Sequence, residues 1–281
     1  MLAYITWDVS PKLFELFGRE IRWYGLCWAI GLLLAVLIIQ KIYQSEKLPQ
    51  KWFDSLFVYV VVSLIIGARV GHCLFYDPVY YLTHPLEMLK IWEGGLASHG
   101  GAIGIIIGTW LYSKKIHKTI LWTLDRVVVA AGLTGACIRF GNLMNSEIYG
   151  KATTLPWGFE FVRDPMWSRP LEMGGSGGLP CHPTQIYEAL VYLVIFGVAM
   201  YLFWKTNAKQ KEGLIFGVCI TAIFLARFCL EYLKNVQEPF ELQMRATIGM
   251  DMGQLLSLPF VLIGGWLIYR ALNRKEKQIN K

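Results

Sequence analysis

The sequence predicts an all-α integral membrane protein with about seven transmembrane helices, an extracytoplasmic N-terminus, a cytoplasmic C-terminus and a small irregular extracytoplasmic segment. Three observations predict this fold: an apolar composition, long apolar runs, and basic residues concentrated in alternate loops. We expect one polytopic domain over residues 1–281. Within it, residues 145–183 are expected to form an extracytoplasmic head or gate.

The composition and the apolar runs favour a protein embedded in lipid. Of the 281 residues, 55% are hydrophobic and 14% aromatic, more than a soluble core of this length needs. Seven runs are long enough, or nearly so, to cross a bilayer: 23–43, 53–76, 94–112, 120–144, 184–204, 213–233 and 252–270. The third and seventh are the weakest. The first run lacks a small-residue cleavage site and is interpreted as an anchor, not a signal peptide.

The basic residues predict the orientation. The formal net charge is +7, and 14 of the 27 Lys and Arg residues follow the first, third, fifth and seventh runs: Lys41, Lys47, Lys51, Lys114, Lys115, Lys118, Lys205, Lys209, Lys211, Arg270, Arg274, Lys275, Lys277 and Lys281. The positive-inside bias assigns this side to the cytoplasm. A basic surface for nucleic acid would not alternate in this way, so no nucleic-acid partner is expected.

The six cysteines indicate neither disulfides nor a metal site. Five lie in apolar runs, Cys181 lies in an outer segment, and no Cys-x-x-Cys pair occurs. We interpret them as small buried hydrophobes. No metal and no cofactor is expected.

The second and third runs carry polar residues near their outer ends. Arg69, His72 and Tyr76 are spaced to share one helical face, where His72 is interpreted as a packing residue. His99 lies within the glycine-rich stretch 94–104. It is interpreted as functional, although the glycines could instead form a close helix-packing seam with His99 bonded to a carbonyl.

The stretch 135–150 closes the fourth run, yet it carries Arg139, Asn142, Asn145 and Glu147. Arg139 is costly near the end of a membrane span, so it needs a partner or a ligand. The irregular segment that follows is the candidate gate, and its aromatic residues argue against a disordered connector. At the start of the fifth run, Gln185 can satisfy free backbone groups, and Glu188 is expected near the outer interface.

Two further features of the sequence each allow two interpretations. In the sixth run Arg227, Glu231 and Lys234 form one charged stripe, which could be a site or an internal ion network that stabilises the bundle. Tyr24 could belong to the site or to the aromatic belt of the membrane.

The predicted orientation brings polar residues from six runs to one depth near the outer surface: Tyr24, Arg69, His99, Arg139, Asn142, Glu147, Glu188, Arg227 and Glu231. The guanidinium fork of arginine suits bidentate binding of phosphate. The head group of an anionic lipid is therefore the natural ligand, and a leaving phosphate would be stabilised as its charge develops.

Three motifs resemble one known family. Arg139-x-Gly-Asn-x-x-Asn-x-Glu-x-x-Gly150, His99-Gly-Gly and His182-Pro-x-Gln-x-Tyr-Glu188 are similar to motifs of the bacterial prolipoprotein diacylglyceryl transferases. The likeness extends from Trp23 to about Gly265. This sequence differs from the family pattern in having Ile138 before the motif arginine, Leu143 after Gly-Asn, and Lys234 where arginine is common.

The resemblance implies a seven-span enzyme of the bacterial inner membrane. Such an enzyme moves the diacylglyceryl group of phosphatidylglycerol to the thiol of the lipobox cysteine in a preprolipoprotein signal peptide and releases glycerol phosphate, the first step of lipoprotein maturation. The implied essential positions are Tyr24, His99, Arg139, Asn142, Gly150 and Arg227. Supporting or lipid-binding positions are Arg69, Asn145, Glu147, His182, Gln185, Glu188, Glu231 and Lys234.

The expected chemistry is a displacement at a glyceryl carbon by the sulfur of the substrate. A free thiol of pKa about 8.5 is mostly protonated near neutrality, so a base or a positive field must favour the thiolate. His99 is the candidate base because histidine titrates near neutral pH. The alternative function is a phospholipid transporter or flippase with an outer-leaflet head-group site. A seven-span receptor would not need this polar cluster, and transporters typically show repeats that are absent here.

Overall fold

The computed structural model describes residues 4–90, 95, 97–170, 175–235, 244–245 and 247–274; the side chain of Ser98 is not described. The start of the predicted third run lies outside these residues. Parts of the predicted head and of the basic tail also lie outside them, including Lys275, Lys277 and Lys281.

The described chain is mainly helical, as predicted. The long helices are α1 (Trp23–Ser45), α2 (Gln50–Phe75), α4 (Ser98–Lys115), α5 (Ile120–Met144), α7 (Thr184–Lys205), α8 (Leu214–Glu231) and α9 (Met252–Asn273). Short helices are α3 (Pro78–Thr83) and α6 (Pro165–Ser168), with 3₁₀ turns at Pro85–Leu89 and Ala208–Gln210. The strands are β1 (Ile5–Thr6), β2 (Lys12–Leu16), β3 (Arg19–Arg22) and β4 (Phe159–Glu160).

Six of the described helices are long and apolar enough to cross a membrane: α1, α2, α5, α7, α8 and α9. Each overlaps a predicted run. The remaining predicted run, 94–112, overlaps α4, which is not among the six. A seventh span and the orientation of the termini therefore stay predictions.

The chain forms two compact units, residues 39–126 and residues 1–38 with 127–281. In the first, α2 and α4 touch through glycine. A Cβ atom at Gly71 would lie 2.7 Å from Cα of Gly100, and Cβ atoms at Gly67 and Gly104 would collide with carbonyl oxygens across the contact. Small residues allow this approach of two helix backbones. The close helix-packing seam predicted as the alternative for residues 94–104 is therefore present at Gly100 and Gly104, whereas the bond of His99 to a carbonyl stays a prediction.

Polar contacts connect the helices of this first unit at the end away from the glycine contact. The hydroxyls of Tyr43 and Tyr112 lie 2.9 Å apart in a buried position. Arg126 binds Glu46 through Nε at 2.6 Å and Nη2 at 2.9 Å, and its guanidinium lies 3.6 Å from the ring centroid of Trp122. Pairing and stacking are how a buried guanidinium is tolerated.

Close helix contacts also organise the larger unit. A Cβ atom at Gly141 of α5 would lie 2.9 Å from the ring of Tyr24 on α1, and one at Gly132 would lie 2.6 Å from the carbonyl oxygen of Tyr192 on α7. Between α8 and α9, Gly217 and Gly264 face each other, since a Cβ at Gly217 would lie 3.0 Å from the carbonyl oxygen of Gly264.

A small apolar cluster supports the segment after α5. It contains Leu143, Tyr149, Phe159, Phe161 and Cys181, with Trp7 packed against it. Strands β1 and β4 pair in parallel beside it, and the indole nitrogen of Trp7 donates to the carbonyl of Leu143 at 3.0 Å. The described parts of residues 145–183 therefore pack around a small apolar cluster that they share with Leu143 and Trp7.

Candidate functional site

The centre of the candidate site is a buried carboxylate between two cations. Glu188, in the second turn of α7, lies 2.6 Å from Nε of Arg139 on α5 and 2.8 Å from Nζ of Lys234, which follows α8. The side chains of Glu188 and Lys234 are 1% and 5% exposed, whereas that of Arg139 is 17% exposed. Arg139 therefore stays accessible while its position is held by an ion pair.

A chain of amides extends from the arginine to a second carboxylate. Nη1 of Arg139 donates to the side-chain oxygen of Asn142 at 3.2 Å, and the amide nitrogen of Asn142 donates to Glu147 at 2.8 Å. Asn145 donates to the same Glu147 oxygen at 3.3 Å. Asn142 lies three residues after Arg139 in α5, so helical spacing brings the two side chains together.

The loop that carries Glu147 has an unusual backbone. Ser146 and Ile148 adopt φ values of 55° and 61°, which is rare for non-glycine residues and rarer for a β-branched one. The start of α7 holds this conformation: the Gln185 amide donates to the Glu147 carbonyl at 2.7 Å, and the Thr184 hydroxyl donates to the Ile148 carbonyl at 2.9 Å. Strain of this kind persists only where surrounding contacts determine it, and it concentrates at functional sites.

Gly150 ends the loop at a point with no room for a side chain. A Cβ atom there would collide with the carbonyl oxygen of Leu233 and lie 2.7 Å from the methyl group of Thr184. Gly150 also donates to the His182 carbonyl at 2.8 Å and forms a β-bridge with Lys234. The glycine thus lets the loop reach the chain that carries the lysine.

The end of α8 supplies two more members of the predicted set. Glu231 lies 3.4 Å from Nζ of Lys234 and against the first turn of α9, where a Cβ at Gly253 would lie 2.7 Å from its carboxyl carbon. A carboxylate is favoured at a helix N-terminus. One turn earlier, Nε of Arg227 is buried and has no hydrogen-bond partner among the described residues. Arg227 therefore has a donor available for a ligand.

Tyr24 and His182 lie at the edges of this arrangement. Tyr24 lies in the first turn of α1, packs over Gly141, and accepts a hydrogen bond from the indole of Trp28 at 3.2 Å. Nδ1 of His182 lies 3.3 Å from the hydroxyl of Tyr187, and burial lowers the pKa of His182 from its ordinary value.

Two predicted site residues belong to the unit of residues 39–126. Arg69 is buried, and it donates through Nε to the carbonyl of Met88 at 2.9 Å and through Nη2 to that of Glu87 at 2.6 Å. These bonds hold the segment after α2. His99 is exposed in the first turn of α4. The predicted convergence of these two residues with Arg139 stays a prediction.

Sequence reasoning missed three residues that position Glu231. Arg245 binds Asp251 at 2.8 Å and lies 3.4 Å from the Glu231 carbonyl, and Asp251 forms a reciprocal capping box with Gln254 at the start of α9. The pattern Asp-x-x-Gln before an apolar run is a sequence signal for such a cap. Arg245 carried no signal, because its contact with the Glu231 carbonyl depends on the tertiary structure.

The arrangement combines cations, a strained loop and buried or partly buried amides at the ends of α5, α7 and α8. Such preorganised donors suit an anion whose charge grows during a reaction. Among the described residues, no group of three or more His, Cys, Asp or Glu side chains is placed to hold a metal ion.

Comparison with known proteins gives the family. The model of the family described as "Prolipoprotein diacylglyceryl transferase" matches residues 11–270. Relatives named phosphatidylglycerol--prolipoprotein diacylglyceryl transferase occur in Porphyromonas gingivalis (56% identity over 279 residues, 98% of both chains), Bacteroides fragilis (43% over 281 residues, 96% of both) and Chloroherpeton thalassium (40% over 280 residues, 99% of this chain and 98% of the relative). The predicted resemblance is confirmed: this chain belongs to the prolipoprotein diacylglyceryl transferase family.

Proposed function

We propose that this protein transfers the diacylglyceryl group of phosphatidylglycerol to the thiol of the lipobox cysteine of a preprolipoprotein. The relatives carry the name of this transferase, and the chain aligns with them over nearly its whole length. The observation that carries the proposal is the Arg139–Glu188–Lys234 ion cluster with its Asn142–Glu147 extension. Arg139, Asn142 and Glu147 belong to the longest of the three family motifs, and Glu188 ends another. A flippase would need no such match, so the transferase is favoured.

In the proposed reaction the cysteine sulfur attacks the glyceryl carbon that bears the phosphate ester. A carbon–sulfur bond forms, the carbon–oxygen bond to phosphate breaks, and glycerol phosphate leaves with the electron pair. The thiol proton passes to a base. No covalent bond to the enzyme is needed.

Arg139 and Arg227 are proposed to bind the phosphate. Arg139 is held by Glu188 yet is partly exposed, and Arg227 retains a buried donor without a described partner. A planar guanidinium can bind two phosphate oxygens at once and stabilises the leaving group more as its charge increases. Asn142, Asn145, Glu147, Gly150 and Tyr24 are proposed to maintain the position of Arg139 and of the lipid head group.

His99 is the proposed base, and Arg69 is proposed to support the outer segment or contact the lipid. The exposed position of His99 at the start of α4 leaves its ring accessible. Glu231, Lys234, His182 and Gln185 are proposed to support the loop and the helix ends. We further propose that the protein resides in the bacterial inner membrane with its basic loops in the cytoplasm.

The direct test uses purified protein reconstituted in vesicles with phosphatidylglycerol and a peptide that contains a lipobox. Mass spectrometry should detect a diacylglyceryl thioether on the cysteine, with release of an equal amount of glycerol phosphate. Control peptides carry serine for the cysteine, and control vesicles contain phosphatidylcholine only. Lipid movement between leaflets without thioether formation would overturn the proposal in favour of the flippase.

A further inference from the structure

A narrow apolar groove runs along the contact between α2 and α4. Its volume is about 450 Å³, within the range of small-molecule sites. Its floor is the glycine seam, formed by Gly67 and Gly71 on one helix and by Gly100 and Gly104 on the other. None of these residues is used by the proposed reaction.

The walls of the groove are two parallel rows of exposed aliphatic side chains. Residues four apart on a helix form a ridge, and here one ridge on each helix rises beside the glycines. The rows are Ile66, Val70 and Leu74 on α2, and Ile103, Ile107 and Leu111 on α4. Their exposure of 38–57% shows that the groove is open among the residues that the structure describes.

The length and position of the groove match one leaflet of a bilayer. On α2 the lining residues extend from Ser63 to Phe75, which is about 18 Å at the helical rise. Half of the hydrocarbon core is about 15 Å thick. The groove occupies only the C-terminal half of α2, the half predicted to lie in the outer leaflet, and stops near the middle of that helix.

The shape of the groove suits a thin occupant better than a helix. Helices packed through larger side chains are about 8–10 Å apart, and glycine contacts bring their backbones closer. A helix with side chains is about 10–12 Å wide, so it would rest on the two ridges and leave the glycine floor uncovered. A partner spanning the membrane would also need a contact face along the whole of α2. An extended hydrocarbon chain fits both dimensions.

We propose that this groove binds one acyl chain of a phospholipid in the outer leaflet. The lining contains no charged side chain and one hydroxyl residue, Ser63, at its inner end, so it offers nothing to a head group. The head group of the seated lipid would lie at the level of the first turn of α4, which begins just before Gly100 and carries His99. This binding does not depend on the transferase activity.

The test is photolabelling in vesicles with a phospholipid that carries a diazirine midway along one acyl chain. Peptide mapping should find label concentrated on the two groove rows. Ile107→Trp fills the groove and should abolish this labelling. The matched control is Ile106→Trp, because Ile106 is the neighbouring residue on α4, is 59% exposed and does not line the groove; its labelling pattern should equal that of the unaltered protein.

A second variant tests the proposal in the case that Ile107→Trp does not fold well. If Ile107→Trp unfolds at lower temperature than Ile106→Trp, Val70→Trp fills the groove from the opposite wall and should abolish labelling in the same way. Label spread evenly over the exposed apolar residues of α2 and α4, or groove labelling unchanged in a folded filling variant, would overturn the proposal. Labelling requires no turnover. Its result therefore does not depend on whether the transfer assay succeeds or fails.

Discussion

The carboxylate of Glu188 lies 2.6 Å from Nε of Arg139, and it is almost fully buried at 1% exposure. The same carboxylate lies 2.8 Å from Nζ of Lys234. One acidic side chain of α7 therefore connects the motif arginine of α5 to the residue that follows α8. Loss of this charge would leave two cations without their shared partner.

Glu188→Gln is expected to destabilise the protein and to abolish or greatly reduce diacylglyceryl transfer. Removing one partner of a buried ion pair typically costs about 3–5 kcal/mol. Thermal unfolding in detergent and the thioether assay measure the two effects. Glu15→Gln is the control, because Glu15 pairs with Lys12 at 2.8 Å but is 55% exposed, and exposed pairs contribute little. Equal effects of the two substitutions would contradict the role given to Glu188.

Gly150→Ala is expected to reduce activity by displacing the loop that carries Glu147. The added methyl group would collide with the Leu233 carbonyl, and overpacking of this kind costs about 1–3 kcal/mol. Gly197→Ala is the control, since a Cβ at that helical glycine of α7 has nothing within 4 Å. That control should keep its activity and its unfolding temperature. Normal transfer by Gly150→Ala would show that the loop can move without consequence.

The rate of transfer is expected to depend on the hydrogen bond from the Asn142 amide to the Glu147 carboxylate. Asn142→Asp removes the donor to Glu147 and places two carboxylates together, so transfer should fall. The double variant Asn142→Asp with Glu147→Gln restores one donor and one acceptor across the 2.8 Å contact, and it should recover part of the activity. The assay is the initial rate of thioether formation. A double variant that is no better than the worse single variant would show that the hydrogen bond is not the determinant.

His99→Gln is expected to slow transfer at neutral pH and to leave a rate that rises with pH. Without its base, the reaction would depend on spontaneous ionisation of the peptide thiol, with a pKa of about 8.5. The measurement is the rate of thioether formation across pH 6–9. His84→Gln, which changes another exposed histidine of the same unit, should retain the original profile. If His99→Gln matches the original enzyme at every pH, another group removes the proton.

His182 is expected to make the folded protein less stable in acid. Burial lowers its pKa below the ordinary value of 6.5, so the unfolded state binds more protons when the pH falls below that value. The stabilisation contributed by neutral His182 is therefore complete above pH 6.5 and declines below it. Unfolding temperatures at pH 7.5 and 5.5 should differ less in His182→Gln than in the unaltered protein. The same difference in both would assign the acid sensitivity to other groups.

The sequence by itself determined the helical membrane class, six of the seven predicted spans, and the family. The apolar runs decide the first two because a helix must satisfy its own backbone in lipid, and run length is visible in the sequence. The motif around Arg139 carries the family, which the comparisons confirm. Gly150 was predicted as an essential position from the motif alone, without the reason that no Cβ fits there.

Only the tertiary structure decided which charges meet. Glu188 and Lys234 are 46 residues apart, so nothing local shows that they share a contact with Arg139. Arg245 and its support of the Glu231 segment were invisible for the same reason. The glycines at 67–71 and 100–104 were visible, but the groove depends on how two helices approach. Pairing and packing arise between distant segments, whereas span length and motif spacing are local properties of the chain.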